Sequence, residues 1–158
     1  MEFRFAEESD LEALTALINQ AFQVERFFKT NDRLSLESTR EYFAKGRYLL
    51  AEEEGALAGC VYVELQGNRC YLGMLSVDPA RQKSGLGRRL VAAAEEFARE
   101  MRAHQMVLTV VNLRTELPPF YQKLGYHITG MEPIPEALAR QVNQPCYFIR
   151  MTKKLGGR

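Results

Sequence analysis

The sequence predicts an α+β fold in which a central mixed, mostly antiparallel sheet is flanked by helices. Three strand-like segments follow one another between Tyr48 and Val77 across short glycine-bearing turns, a pattern typical of an antiparallel meander. A long amphipathic helix, with one apolar stripe from Leu90 to Met101, then separates the meander from a further apolar strand. A helix that connects two neighbouring strands makes them parallel, so one parallel pair is expected within an otherwise antiparallel sheet.

The predicted elements follow the order β-α-α-β-β-β-α-β-α-β-β. At the start of the chain, the alternation of apolar and polar residues from Glu2 to Phe5 predicts a first strand. Ser9 or Asp10 then caps a helix whose apolar residues recur with a period of about 3.6 residues. Ser35 with Ser38 starts a second helix. This part of the chain is therefore expected to supply one strand and two helices.

The rest of the chain is predicted to form strands around the long helix and one short helix. Pro118 and Pro119 start the short helix, and Gly125 ends it. A proline-bearing connection from Glu132 to Pro145 joins the last two strands. The predicted strands lie at residues 48–52, 60–64, 70–77, 106–111, 128–131 and 146–151.

Length, charge and cysteine content narrow the class of protein. A chain of 158 residues is expected to form a single domain over residues 1–158. No apolar run is long enough to span a bilayer, and the acidic first residues lack a secretory core. The three cysteines, Cys60, Cys70 and Cys146, show no metal-ligand spacing, so a cytoplasmic protein without a metal is expected. With 21 basic and 20 acidic residues, no overall field attracts nucleic acid or an acidic membrane.

The stretch SVDPARQKSGLGRRL, residues 76–90, predicts an anion site between a strand and a helix. A helix that begins near Gly85 presents free backbone N–H groups and the positive end of its dipole. Because Gly85 and Gly87 lack Cβ atoms, a phosphate chain can approach the backbone closely. The alternative is an ordinary glycine turn before a solvated helix. Further donors are available from Arg81, Gln82, Lys83, Ser84, Arg88 and Arg89.

Two common phosphate motifs do not fit this loop. The P-loop needs Gly-Lys followed by Ser or Thr, and the dinucleotide fingerprint needs a third glycine where Leu90 stands. Gln82-Lys83-Ser84-Gly85-Leu86-Gly87 does match the pattern Q/R-x-x-G-x-G/A, and Phe120 to Tyr126 ends in Tyr-x-Lys-x-Gly-Tyr. In this order the two motifs resemble the signatures of the GNAT superfamily of acetyl-CoA-dependent N-acetyltransferases. The element order agrees from Glu2 to Met151, which implies a GNAT-like acyl-CoA N-acyltransferase fold.

The resemblance implies that the bound anion is the pyrophosphate of coenzyme A and that acetyl-CoA is the co-substrate, with no metal. The strand before the loop is expected to offer free backbone groups to the pantetheine arm. Asn112 or Arg114 is expected to contact the same arm, and the spacing leaves this choice open. The expected coenzyme-binding residues are Leu75, Ser76, Val77, Gln82, Lys83, Ser84, Gly85, Leu86, Gly87, Arg88 and Asn112.

The resemblance also implies direct transfer of an acetyl group, within a ternary complex, to a primary amine of a small molecule or protein. A backbone N–H near Val77 is the expected oxyanion donor. Tyr121 is the expected proton donor to the departing thiolate, because a phenol stays protonated at neutral pH. Where several family members have a catalytic glutamate, this chain has Tyr71. Glu64 is therefore the candidate base, with a water chain as the alternative.

The acceptor pocket is expected between the first two helices and the loop that joins them. Phe27 and Phe28 are adjacent, so both cannot face the same core, and the alternative is that they pack on the sheet. The residues expected to shape the pocket are Glu25, Phe27, Phe28, Arg33, Tyr62 and Tyr71. A non-catalytic acyl-CoA sensor or assembly module of the same fold is the competing interpretation. Nucleic-acid binding is the weakest one, and a homodimer is left open.

Overall fold

The computed structural model describes residues 1–156, and these residues build a sheet of seven strands with helices on both faces. Within residues 1–156, no helix is long and apolar enough to cross a membrane. The strands are β1 Glu2–Phe5, β2 Arg47–Glu53, β3 Ala56–Gln66, β4 Arg69–Val77, β5 Gln105–Val111, β6 His127–Pro133 and β7 Tyr147–Lys154. The helices are α1 Leu11–Ala21, α2 Leu36–Lys45, α3 Leu86–Glu100, α4 Leu117–Lys123 and α5 Glu136–Ala139.

The strands lie in the order β1-β2-β3-β4-β5-β7-β6. All neighbouring strands pair antiparallel except β4 and β5, which are parallel and are joined by α3. The predicted meander is formed by β2, β3 and β4. The mixed, mostly antiparallel sheet predicted from the sequence is therefore confirmed.

Each face of the sheet carries its own apolar core. Side chains alternate between the faces along a strand, so Tyr48 and Leu50 of β2 lie on one face while Leu49 and Ala51 lie on the other. Helix α1 packs on the first face, with α2 partly buried beside it, and α3 and α4 pack on the second. The central strands β2 to β5 are consequently buried on both sides, which explains their nearly continuous apolar sequences.

The helix starts follow the sequence in one case and differ in another. Ser35 caps α2 as predicted, because its hydroxyl accepts a hydrogen bond of 3.1 Å from the Ser38 N–H. Asp10 does not cap α1 with its side chain. Its carboxylate instead accepts the Glu7 N–H at 2.7 Å and pairs with Arg4 at 2.8 Å, within a short 3-10 turn that precedes the helix.

Two segments expected to be irregular contain helical turns. Residues 22–25 form a 3-10 turn after α1, so the predicted first helix ends one residue before Phe22. The connection from Glu132 to Pro145 contains α5, which begins directly after Pro135. Proline holds φ at a value compatible with helix entry, and the first turn of a helix needs no N–H donor from it.

A buried carboxylate ties α3 to the last strand. Glu95 is 5% exposed and lies on the face of α3 that meets Tyr126 and β7. Its Oε2 accepts a hydrogen bond from the Tyr126 hydroxyl at 2.8 Å, and its Oε1 accepts one from Lys153 Nζ at 2.9 Å. Burial raises the pKa of Tyr126, and the nearby Glu95 carboxylate raises it further. These contacts hold α3, the helix that follows the glycine loop, against the last strand.

Replacing Glu95 with alanine is expected to lower the free energy of unfolding by about 3 kcal/mol, because Tyr126 and Lys153 lose a buried partner. Urea denaturation measures this change. Glu96 on the same helix is the matched control: its side chain is 59% exposed and pairs with Arg99 at 3.6 Å. Its replacement by alanine should change stability by less than about 0.5 kcal/mol, and equal losses at both positions would contradict the assignment.

Candidate active site

Strands β4 and β5 separate from each other towards their carboxyl ends. They pair only at three residue pairs near their starts, from Arg69 with Gln105 to Tyr71 with Val107. Beyond these pairs β4 continues to Val77 and β5 to Val111 without pairing to one another. We call the space between them the wedge. Its edges carry backbone groups that have no strand partner, and an extended ligand can hydrogen-bond to such groups.

A β-bulge in β4 bends the strand at this position. Between its pairings with Tyr62 and Cys60 of β3, strand β4 runs from Gly73 to Ser76 and so has one residue more than β3. Met74 lies in this bulge with a φ of 54°, a left-handed conformation that non-glycine residues seldom adopt. Such conformations are concentrated at functional sites. The bulge lies just beyond the last residue pair of β4 with β5, where the wedge opens.

The glycine loop ends at the first turn of α3. Gly85 has a φ of 80° and is the N-cap residue of the helix. The first bond within the helix runs from the Arg89 N–H to the Gly85 carbonyl, at 3.1 Å. The N–H groups of Leu86, Gly87 and Arg88 consequently have no acceptor within the helix. Free N–H groups and the positive end of a helix dipole are the features that an anion site requires, and the sequence predicts such a site at this loop.

The cations around the loop differ in availability. Arg81 pairs with Asp78 at 2.7 Å and with Glu53 at 3.1 Å, which holds its guanidinium away from a ligand. Arg89 lies over the Phe3 ring, with 5.3 Å between the guanidinium carbon and the ring centroid. Within residues 1–156, Lys83, Arg88 and Arg89 are exposed and make no ion pair, and of these only Arg89 lies over an aromatic ring.

The wedge opens into a cavity of about 590 Å³ between the sheet, the first two helices and α4. A Cβ atom added at Gly87 would lie 3.9 Å from Leu75, which lines the cavity, so the glycine loop and the cavity are neighbours. The cavity brings together seven residues that the sequence predicts for coenzyme, catalysis or acceptor. These are Glu25, Phe28, Arg33, Tyr71, Leu75, Arg114 and Tyr121.

Tyr121 of α4 lies at the cavity wall. Its side chain is 5% exposed, and its hydroxyl has no hydrogen-bond partner among residues 1–156. Burial raises its pKa, the nearby Tyr71 hydroxyl adds to this increase, and Arg114 opposes it. The hydroxyl therefore keeps its proton at neutral pH and is free to donate it into the cavity.

Other predicted site residues lie outside the cavity lining. The Tyr62 hydroxyl is 2.8 Å from the Tyr42 carbonyl oxygen and 2.8 Å from Glu64 Oε1, and Tyr62 is fully buried. Asn112 Oδ1 accepts the Tyr147 N–H at 2.8 Å, which extends the ladder between β5 and β7. Phe27 is 56% exposed, while its neighbour Phe28 is buried. Ser76 and Val77 continue β4 beyond the part that lines the cavity.

The cavity also contains a group of charged residues. The sequence predicts Glu25 for the acceptor pocket and offers Arg114 as a contact of the pantetheine arm, but it does not indicate Lys29. Glu25 and Arg114, 89 positions apart in sequence, form an ion pair at 2.8 Å. Lys29 lines the cavity beside them and is 5% exposed. The spacing of four residues between Glu25 and Lys29 suggests proximity on a helical turn, but it does not indicate that both face a cavity.

The cysteines offer no reactive thiolate to this site. Burial raises the pKa of Cys60 to about 12 and that of Cys70 to about 11. Both therefore remain protonated thiols at neutral pH. In the part of the chain that the structure describes, no group of three or more His, Cys, Asp or Glu side chains is placed to hold a metal ion.

A mixed sheet that opens between its two parallel strands, next to a helix that begins at a glycine loop, defines the GNAT fold of acetyltransferases. The sequence matches the model of the Acetyltransferase (GNAT) family over residues 11–126. The chain therefore belongs to the GNAT acetyltransferase family, and the resemblance inferred from the two motifs is confirmed.

Individual relatives agree with this family. An L-methionine sulfoximine/L-methionine sulfone acetyltransferase of Salmonella typhimurium is 27% identical over 146 residues, which cover 84% of each chain. A blasticidin-S acetyltransferase of Streptomyces morookaense is 35% identical over 81 residues, 51% of this chain and 59% of that protein. A structure from Salmonella typhimurium, solved with its cofactor acetyl-CoA, has the same fold: the TM-score is 0.76 at 22% identity, over 100% of this chain and 95% of that one.

Proposed function

We propose that the protein is an acetyl-CoA-dependent N-acetyltransferase that acts on a primary amine of a small molecule or a protein. The observation that carries this proposal is a single cavity in the wedge that reaches Tyr121 and adjoins the glycine loop. A protein that bound only the coenzyme would need no more than the glycine loop and the wedge. The additional space beside α1 and α2, with its own polar lining, is what a second substrate requires.

The residues present fit acetyl-CoA. The free N–H groups at the start of α3, from Leu86 to Arg88, would hold the pyrophosphate, with Lys83 as a further cation. The unpaired edge of β4 at Leu75 and beyond would hold the pantetheine arm, as an added strand does. When bound, acetyl-CoA supplies an acetyl thioester, which reacts with amines.

Direct transfer to the acceptor is supported by what lines the cavity. Cys60 and Cys70 lie outside the lining and keep their protons, so neither is a suitable covalent carrier. Tyr121 donates its proton to the departing sulfur, since its hydroxyl is free and protonated. The acceptor amine must lose a proton first. Glu25 is the carboxylate that lines the cavity and is a candidate to accept that proton. Glu64, the base expected from the sequence, lies outside the lining and hydrogen-bonds to Tyr62, whose ring contacts Tyr71 of the lining.

The proposal is tested by the melting temperature in the presence of acetyl-CoA, free CoA, NAD and ATP. Acetyl-CoA and CoA are expected to stabilise the protein by about 2.7 kcal/mol at one hundred times their dissociation constants, whereas NAD and ATP should not. Release of CoA in the presence of a panel of amines then establishes turnover. If neither acetyl-CoA nor free CoA stabilises the protein, the proposal is wrong. Stabilisation without turnover for any amine would instead indicate a non-catalytic acyl-CoA-binding module.

A further inference from the structure

The acceptor side of the cavity carries more positive than negative charge. Lys29, Arg33 and Arg114 line it, and Glu25 is the one carboxylate among the lining residues in the described part of the chain. Arg114 is already neutralised, since it pairs with Glu25 at 2.8 Å and with Glu116 at 2.9 Å. The positive charges of Lys29 and Arg33 are therefore left without an equivalent negative charge in the cavity.

Lys29 is a buried ammonium with few partners. Its side chain can donate three hydrogen bonds, but Nζ makes one long contact of 3.4 Å, with the Asp32 carbonyl oxygen. Burial is the largest effect on its pKa and lowers it. The positive charges of Arg33 and Arg26 lower this pKa further, whereas the negative charges of Glu25 and Asp32 raise it. Lysine is almost never so buried unless it is paired. An anion in the cavity would supply the missing partner.

Arg33 stands beside Lys29 with its hydrogen-bonding edge free. Its guanidinium carbon lies 5.7 Å from the centroid of the Phe22 ring, and its N–H groups make no hydrogen bond in the described part of the chain. Within residues 1–156 it forms no ion pair. The planar guanidinium presents several N–H donors that match both oxygens of a carboxylate. The pair of cations thus combines a point charge with a geometric partner for a carboxylate.

The surroundings of this pair are apolar. Phe22, Phe28, Leu34 and Leu138 line the same cavity as the two cations. Such walls favour a ligand with a hydrocarbon body and exclude water, which strengthens the attraction between the cations and an anionic group. The volume of about 590 Å³ must also hold the acetyl end of the coenzyme, so the acceptor is small.

We infer that Lys29 and Arg33 form an anion subsite, and that the acceptor is a small zwitterion whose primary amine and carboxylate are carried on an apolar skeleton. This inference rests on the proposed function, because the amine must reach the acetyl group near Tyr121 while the carboxylate lies at the cation pair. A lysine side chain or an N-terminus within a protein carries no such neighbouring carboxylate. It is accordingly a poorer acceptor.

Binding is tested with probes that differ only in charge. The protein saturated with CoA is melted in the presence of L-leucine, L-methionine or L-phenylalanine, and in parallel with the amide of each. At least one amino acid is expected to raise the melting temperature, while its amide does not. If the melting temperature with each amino acid equals the melting temperature with its amide, the inference is overturned. Because saturation with CoA is established first, this failure is distinct from failure of the proposed function.

Turnover gives a second readout. The kcat/KM for CoA release is expected to be about 100-fold higher for the amino acid than for its amide. Chemistry alone favours the amide, whose amine is less basic and so less protonated at neutral pH, and an amide used equally well would therefore contradict the subsite.

The two cations are then removed separately. Lys29→Met and Arg33→Met keep the apolar stems, and each should abolish most of the preference for the amino acid over its amide. Arg26→Met is the control, since Arg26 is an exposed cation of the same segment that pairs with Asp32 and is absent from the cavity lining. It should keep the preference. Equal loss in all three variants, or loss in none, would overturn the assignment.

Discussion

Replacing Gly85 with valine is expected to abolish the binding of acetyl-CoA and of free CoA while the protein still folds. Gly85 has a φ of 80°, which a β-branched residue adopts only under strain of about 1 to 3 kcal/mol. A Cβ atom there would also lie 3.3 Å from the Arg88 guanidinium. The side chain would displace the first turn of α3, so the N–H groups of the anion site would change direction. Titration calorimetry with CoA measures the loss.

Gly87→Ala is the matched control for this experiment. A Cβ atom at Gly87 would be 3.6 Å from Phe120 and 3.9 Å from Leu75, both ordinary contacts, and the motif allows alanine at this position. The variant should therefore bind CoA within a few-fold of the original protein. The near-ultraviolet circular dichroism of both variants verifies their folding. If a folded Gly85→Val protein binds CoA with unchanged affinity, the assignment of the loop to the pyrophosphate is contradicted.

Replacing Tyr121 with phenylalanine is expected to lower kcat by about 100-fold and to leave the dissociation constant of acetyl-CoA nearly unchanged. The hydroxyl has no partner within residues 1–156, so its removal leaves no protein group unsatisfied and should not affect stability. Steady-state kinetics and calorimetry separate the two quantities. An unaltered kcat would eliminate Tyr121 as the proton donor.

Tyr48→Phe serves as the control for the loss of a buried hydroxyl. The Tyr48 hydroxyl donates to the Thr39 carbonyl at 3.3 Å and does not line the cavity, so kcat should stay the same.

The dependence of kcat on pH adds a further comparison. Because the pKa of Tyr121 is raised above its ordinary value of about 10, its deprotonation should cause no loss of activity below that pH. A tyrosine-dependent decline at pH 8 would contradict this environment.

The local elements could be predicted because their signals lie within short stretches of sequence. The glycine loop is one example, since Gly85 both adopts the left-handed conformation and precedes an amphipathic stripe. The cap of α2 is another, because Ser35 and Ser38 are three residues apart. The family followed from two such motifs in order. Each of these features depends on contacts between residues that are near in the chain.

The acceptor pocket could not be predicted in the same way, because it depends on contacts between distant segments. The ion pair of Glu25 with Arg114 joins the segment after α1 to the loop before α4, and neither residue alone indicates the other. Lys29 appears in the sequence as one more surface cation, although the fold buries it. In the bulge of β4 the left-handed conformation is adopted by Met74 and not by the neighbouring Gly73, so the sequence does not mark the position. Asn112 matches the chemistry expected of a coenzyme contact, yet its amide oxygen is used by Tyr147.

The narrow end of the wedge has a consequence for how the two parts of the sheet can move. The four strands β1 to β4 and the three strands β5 to β7 are in register with each other only near Arg69 to Tyr71, and this junction is reinforced where the His104 N–H donates to the Asn68 carbonyl at 2.6 Å. Any change in the angle between β4 and β5 at this junction would be magnified at their far ends, Val77 and Val111, and would change the width of the wedge.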